Sequence, residues 1–167
     1  MKFSDILQMT KPSNYRVNVG WKYLKKHIGR DRNPPFDINP DFQRGHVWTK
    51  EQKIAYVEFK LKGGSGSDII QTNCPGWMND FRGPYVLVDG KQRLTAVLDF
   101  LDDKLPVFNH YYSEFEGRIP HTCDFIWCVN DLETKKEVLA WYVELNTGGT
   151  LHTKEEIDKV LEMIRKG

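Results

Sequence analysis

One helix-start signal recurs three times along the chain: Thr49 with Gln52, Thr134 with Glu137, and Thr153 with Glu156. In each pair the threonine hydroxyl and the Glu or Gln side chain three residues on satisfy each other's orphan backbone N–H groups, which marks a helix N-terminus. Apolar residues follow at helical spacing: Ile54, Val57 and Leu61; Val138, Trp141, Tyr142 and Leu145; Ile157, Val160, Leu161 and Ile164. The spacing predicts three amphipathic helices with core-facing stripes. A fourth is expected from Lys91 to Leu101, where Leu94, Val97, Leu98 and Leu101 keep the same period, and a short one around Trp21, Leu24 and Ile28 ahead of Gly29.

Strands are expected at Tyr15 to Val19, Ile69-Ile70, Tyr85 to Val88, near Val107-Phe108, and at Phe125 to Val129. Their alternation with helices predicts an α/β (α+β) fold, a small mixed sheet covered by helices, but does not order the strands. A length of 167 residues with 40% hydrophobic side chains fits one core, so residues 1–167 are expected to form a single domain. The longest apolar runs are too short to span a bilayer and the start lacks a secretory apolar region, so a soluble, cytoplasmic protein with no membrane partner is expected. Cys74, Cys123 and Cys128 have no C-x-x-C spacing and are expected as packed free thiols.

The chemistry concentrates where Tyr85-Val86-Leu87-Val88 ends in Asp89-Gly90 and passes straight into a helix. The unpaired N–H groups and positive dipole end of that helix favour an anion, and Gly90 allows close backbone approach. Arg93 can fork two donors onto phosphate oxygens and Lys91 adds a point charge. Asp89 would repel a phosphate unless a cation lies between them, which fits a Mg2+ ligand or a group orienting water. The plainer alternative is an ordinary tight turn with Gln92 and Arg93 on a solvated helix face. Gln43 and Arg44 lie in a loop opened by Asn39-Pro40, either as a second phosphate clamp or as surface residues. Asn146-Thr147-Gly148-Gly149 ends a helix, where glycines also serve as a plain C-cap.

His27, His46, His110, His121 and His152 are scattered without metal-ligand spacing, although His46 and His152 lie near the proposed segments. Trp48, Trp77 and Trp141 are candidates for stacking on a base, with Trp141 also read as core. No Walker A, G-x-G-x-x-G or G-x-S-x-G motif is present. Residues 1–62 carry 13 Lys/Arg against 6 Asp/Glu, while residues 63–167 carry 11 against 17, so a basic face able to contact DNA is an expectation alongside a plain solvated surface.

Val88-Asp89-Gly90-Lys91-Gln92-Arg93-Leu94-Thr95-Ala96 resembles the D-G-Q-Q-R-L-T motif in the N-terminal domain of GmrSD-type modification-dependent restriction enzymes, part of the wider ParB/sulfiredoxin-like fold. Pro40-Asp41-Phe42-Gln43-Arg44 with Val47-Trp48 looks like that family's P-x-F/Y-Q-R-x-x-V-W segment, and Leu145-Asn146-Thr147-Gly148-Gly149 looks like its R-L-N-x-G-G segment. The three keep the family's order across about residues 15 to 160. The resemblance implies a nucleotide site of Asp89, Gly90, Lys91, Gln92 and Arg93, with Gln43 and Arg44 as second wall and Asn146 and Gly148 as rim. It implies hydrolysis of a nucleoside triphosphate with Mg2+ on Asp89, with Asp89, Arg93 and Arg44 in the catalytic roles, linked to phage defence or restriction or to its phage-side counterpart. Lys91 replaces the usual Gln, and Glu144 stands where Arg is frequent. The chain ends at Gly167 without the HNH-type region that restriction relatives carry, so a protein partner carrying a nuclease is expected. Two other readings stay open: a DNA-binding module or ParB-like nuclease, and a non-catalytic regulatory or decoy protein that binds a protein partner.

Overall fold

The computed structural model describes residues 1–11, 15–29, 35–43, 45, 47–147 and 154–166. Its strands are β1 (Tyr15–Gly20), β2 (Phe36–Asp37), β3 (Ile69–Asn73), β4 (Tyr85–Asp89) and β5 (Asp124–Asn130), and its helices are α1 (Leu24–His27), α2 (Lys50–Leu61), α3 (Lys91–Leu101), α4 (Lys135–Thr147) and α5 (Lys154–Lys166). The strands form one mixed sheet in the order β1-β5-β3-β4-β2. β1 is antiparallel to β5 and β3 antiparallel to β4, whereas β3–β5 and β2–β4 are parallel. The fold is α/β.

Alternation along the strands explains the layering, because successive side chains leave opposite faces of a sheet. Tyr85 and Leu87 of β4 join Ile70, Phe125 and Trp127 in the larger core, which α2 and α3 cover with Val57, Leu94, Val97 and Phe100. Val86 and Val88 face the other way, into a second cluster with Phe42, Leu139, Trp141, Tyr142 and Val160 of α4 and α5. The helices start where their sequence signals stand. Thr49 and Gln52 bond reciprocally at the head of α2. Glu137 N donates to Thr134 Oγ1 at 3.2 Å and Thr134 N to Glu137 Oε2 at 2.9 Å at the head of α4. Thr153, expected to cap α5, lies outside the described residues.

Two details differ from expectation. Val107-Phe108 is no strand: Val107 makes an isolated bridge to His110 across a turn in which Phe108 and Asn109 hold φ of 51° and 64°. β2, unforeseen behind its prolines, is a two-residue strand paired among the described residues with β4 alone. Among the described residues no helix is long and apolar enough to cross a membrane. The three cysteines are free and buried, and burial pushes the Cys123 and Cys128 thiols up.

Part of the charge asymmetry along the chain is taken up in ion pairs. Lys11 pairs with Glu133, Lys25 with Asp102, Lys53 with Asp99 and Lys60 with Asp68, so four of the early cations neutralise later acids. Lys135 and Asp41 complete a fifth bridge in the reverse sense at 2.7 Å.

Candidate functional site: the turn from β4 into α3

Gly90 joins β4 to α3 with φ 101° and ψ 8°, a left-handed conformation that L side chains rarely adopt. A Cβ there would fall 2.5 Å from Ile70 Cδ1 and 3.3 Å from both Arg93 Nη2 and the Ile69 carbonyl oxygen, so a side chain is strained by angle and also requires the end of Ile70 to move. Gly90 O accepts from Leu94 N at 2.9 Å. Immediately beyond it, the N–H groups of Lys91, Gln92 and Arg93 have no carbonyl one turn back within the helix.

The next three side chains diverge. Lys91 is 8% exposed, and burial pulls its ammonium below the ordinary lysine value while the Asp37 carboxylate opposes the shift. Arg93 turns toward β3: Nη2 donates to Ile69 O at 2.9 Å and to Asp89 Oδ2 at 2.9 Å, and Nε is buried with no hydrogen-bond partner among the described residues. Its charge also reaches the buried Tyr56 hydroxyl, whose pKa burial drives well above the ordinary phenol value and Arg93 partly restrains.

Gln92 turns outward and clasps a loop. Its Oε1 accepts from Val47 N at 3.1 Å and Trp48 N at 3.2 Å, and its Nε2 donates to Gly45 O at 3.1 Å. Gln43 makes the complementary clasp, with Nε2 donating to Leu87 O at 2.8 Å and Val88 O at 2.9 Å. Both glutamine amides are thus committed to main chain, and their place in the candidate site is to tie its two walls together. Phe42 reinforces the join, packing edge-on against Tyr142 with ring centroids 5.2 Å apart.

The positions flanking residue 44 are therefore held against the β4–α3 turn from both sides. Arg44 itself lies outside the described residues, as do His46, Gly148 and His152. Asn146 closes the last turn of α4, its Nδ2 donating to Tyr142 O at 2.6 Å, which links it through Tyr142 and Phe42 to the Gln43 loop. Trp48 packs on Tyr56 and Trp77 on Tyr15, with centroids 5.3 and 5.1 Å apart, and Trp141 is 4% exposed in the α4–α5 core. These rings serve packing. What sequence reasoning missed is the double clasp, since nothing in the spacing of Gln43 and Gln92 tells that one grips the strand behind the other's helix.

Among the described residues, no group of three or more His, Cys, Asp or Glu side chains is arranged to hold a metal ion. Comparison with family models, with curated proteins and with solved structures found no match to this chain.

Proposed function

We propose that this chain binds a nucleoside triphosphate at the β4–α3 turn and hydrolyses it with Mg2+, in a process linked to phage defence or restriction or to its phage-side counterpart. The observation that carries this reading is the closure of the Gln43–Trp48 loop onto the turn at Gly90, which brings two of the three resembling segments to one place through five side-chain hydrogen bonds. The N–H groups at the head of α3 receive phosphate oxygens, and the absence of a Cβ at Gly90 lets the main chain come close. Arg93 meets phosphate by giving up its bond to Asp89, because its Nε, unpartnered among the described residues, is buried. Arg44, flanked by clasped residues, supplies the second guanidinium that stabilises charge on the phosphoryl group.

Mg2+ keeps several waters and takes one or two carboxylates together with phosphate oxygens, rather than a full protein cage. Asp89 fits that donor set: its side chain is 45% exposed, and Arg93 engages Oδ2. Bound with the nucleotide, the ion supplies charge neutralisation on the phosphate oxygens. Asp89 then orients water or the ion, and Arg93 exchanges its carboxylate for phosphate. Calorimetry with each nucleoside triphosphate in the presence of Mg2+ tests this. One equivalent bound and weakened about tenfold or more by Arg93→Ala supports it; absence of binding to the unaltered chain refutes it.

A further inference from the structure

A concave site lies at the C-terminal end of β1. A cavity of about 580 Å³ opens between residues 20–23 and residues 117–123. Trp21 N donates to Cys123 O at 3.0 Å, which clips the two walls together. Trp21 and Cys123, at 0% and 1% exposure, make an apolar floor, and Tyr112 closes one side.

The mouth is cationic. Lys22, Arg118 and His121 line the cavity, and among the described residues no acidic side chain does. None of these three is in an ion pair among the described residues. Of the acids near the cavity, Asp102 binds Lys25 at 2.6 Å and Lys104 at 3.0 Å, and Asp124 accepts from Asn18 Nδ2 at 2.7 Å, while Glu116 lines the neighbouring hollow on the far side of Gly117 and Arg118. Lys22 Nζ lies 4.7 Å over the Tyr23 ring, which restrains the ammonium.

Two cations without an ion-pair partner among the described residues, Lys22 and Arg118, on a concave surface of mixed polar and apolar lining focus their field into it and favour an anion. The volume falls in the range of small-molecule sites, and a guanidinium and an ammonium lining one cavity suit phosphate. We infer that this cavity takes one nucleotide unit, with its phosphate at Lys22, Arg118 and His121 and its base on the apolar side against Tyr112. The site is independent of the β4–α3 turn, because it lies near the opposite end of α3. There Lys25 Nζ donates to Leu101 O at 2.7 Å and Tyr112 packs on Phe100 at 5.4 Å. The 11 residues of α3 span about 16 Å.

The unit is either a free nucleotide or one residue of a strand, and two probes separate these sources. Adenosine monophosphate and, separately, a short oligothymidylate are titrated calorimetrically into the full chain, into Arg118→Glu and Lys22→Glu, and into the same variants carrying Arg93→Ala. At least one probe is expected to lose about tenfold or more in affinity on each charge reversal, with the same loss in the Arg93→Ala background. Loss for the mononucleotide identifies a free ligand, and loss for the oligonucleotide alone identifies a strand. Binding of both probes indifferent to the charge reversals, or no binding of either to the unaltered chain, overturns the proposal. Thermal unfolding checks each variant, and Lys22→Gln with Arg118→Gln carries the test if a reversal unfolds the chain. Failure here leaves triphosphate binding at the β4–α3 turn untouched, since that depends on Arg93.

Discussion

Arg93 Nη2 stands 2.9 Å from Asp89 Oδ2, so the cation proposed to bind phosphate is held by the carboxylate on the other side of the Gly90 turn. The two groups thereby compete. Without a divalent ion, a phosphate must displace Asp89 from Arg93 and tolerate its charge. Asp89→Asn removes that competitor, so affinity for a triphosphate without Mg2+ is expected to rise by about threefold to tenfold, equivalent to about 0.7 to 1.4 kcal/mol. Hydrolysis with Mg2+ is expected to fall. Calorimetry with and without the ion, beside a phosphate-release assay, reads both effects; weaker binding in both conditions contradicts the competition.

Gly90→Ala meets two penalties at once. A left-handed L residue costs about 1–2 kcal/mol, and a Cβ placed 2.5 Å from Ile70 Cδ1 forces a shift worth about 1–3 kcal/mol more. Denaturant unfolding is expected to show a total of about 2–5 kcal/mol. Because Ile70→Val deletes the clashing carbon, the double variant is expected to be less destabilised than the sum of the two single changes. Strict additivity would show that the contact plays no part.

The two glutamine clasps predict different responses to isosteric change. Gln43→Glu replaces a donor with a carboxylate facing the Leu87 and Val88 carbonyl oxygens, so it is expected to destabilise more than Gln43→Ala, by about 1–3 kcal/mol. Gln92→Ala releases the 45–48 loop, which is more exposed, and is expected to cost about 1 kcal/mol or less. Its clearer readout is hydrogen exchange: the Val47 and Trp48 amides lose protection while those of β4 keep theirs. Equal protection in both chains would contradict the clasp.

Much of the framework was legible because it rests on local chemistry. The Thr49 and Thr134 boxes specify where α2 and α4 begin, and the Leu94, Val97, Leu98 and Leu101 period after Gly90 places α3 at its observed bounds. What was not legible depends on distant partners. β2 consists of Phe36 and Asp37, a strand only because Tyr85 and Val86 lie beside it. The parallel pairing of β3 with β5 brings together residues more than fifty positions apart, and no turn motif announces it. Val107-Phe108 carries the same β-branched and aromatic signal as a strand, but it bends back on itself within four residues. At the site, the Gly90 turn and its charged neighbours were visible, whereas the clasping of Gln43 and Gln92 onto main chain required the tertiary structure.

Acid dependence should follow the head of α4. The Thr134 backbone N–H, then its hydroxyl, hold the Glu137 carboxyl below the ordinary 4.5. A carboxylate with a lowered folded pKa contributes stability that is present above the unfolded value and lost as pH falls through the folded one. Glu137→Ala is therefore expected to lower the unfolding midpoint at neutral pH and to converge on the parent chain in acid below that range. A deficit that stays constant down to the most acidic buffer would contradict the assignment.

The central claim is that phosphate is received at the head of α3. Its most direct measurement is calorimetric titration of a nucleoside triphosphate with Mg2+ into the unaltered chain, Arg93→Ala and Arg44→Ala. The account predicts one equivalent bound by the unaltered chain, with affinity reduced about tenfold or more by each substitution. Binding that ignores both arginines, or no binding of any triphosphate, would contradict it.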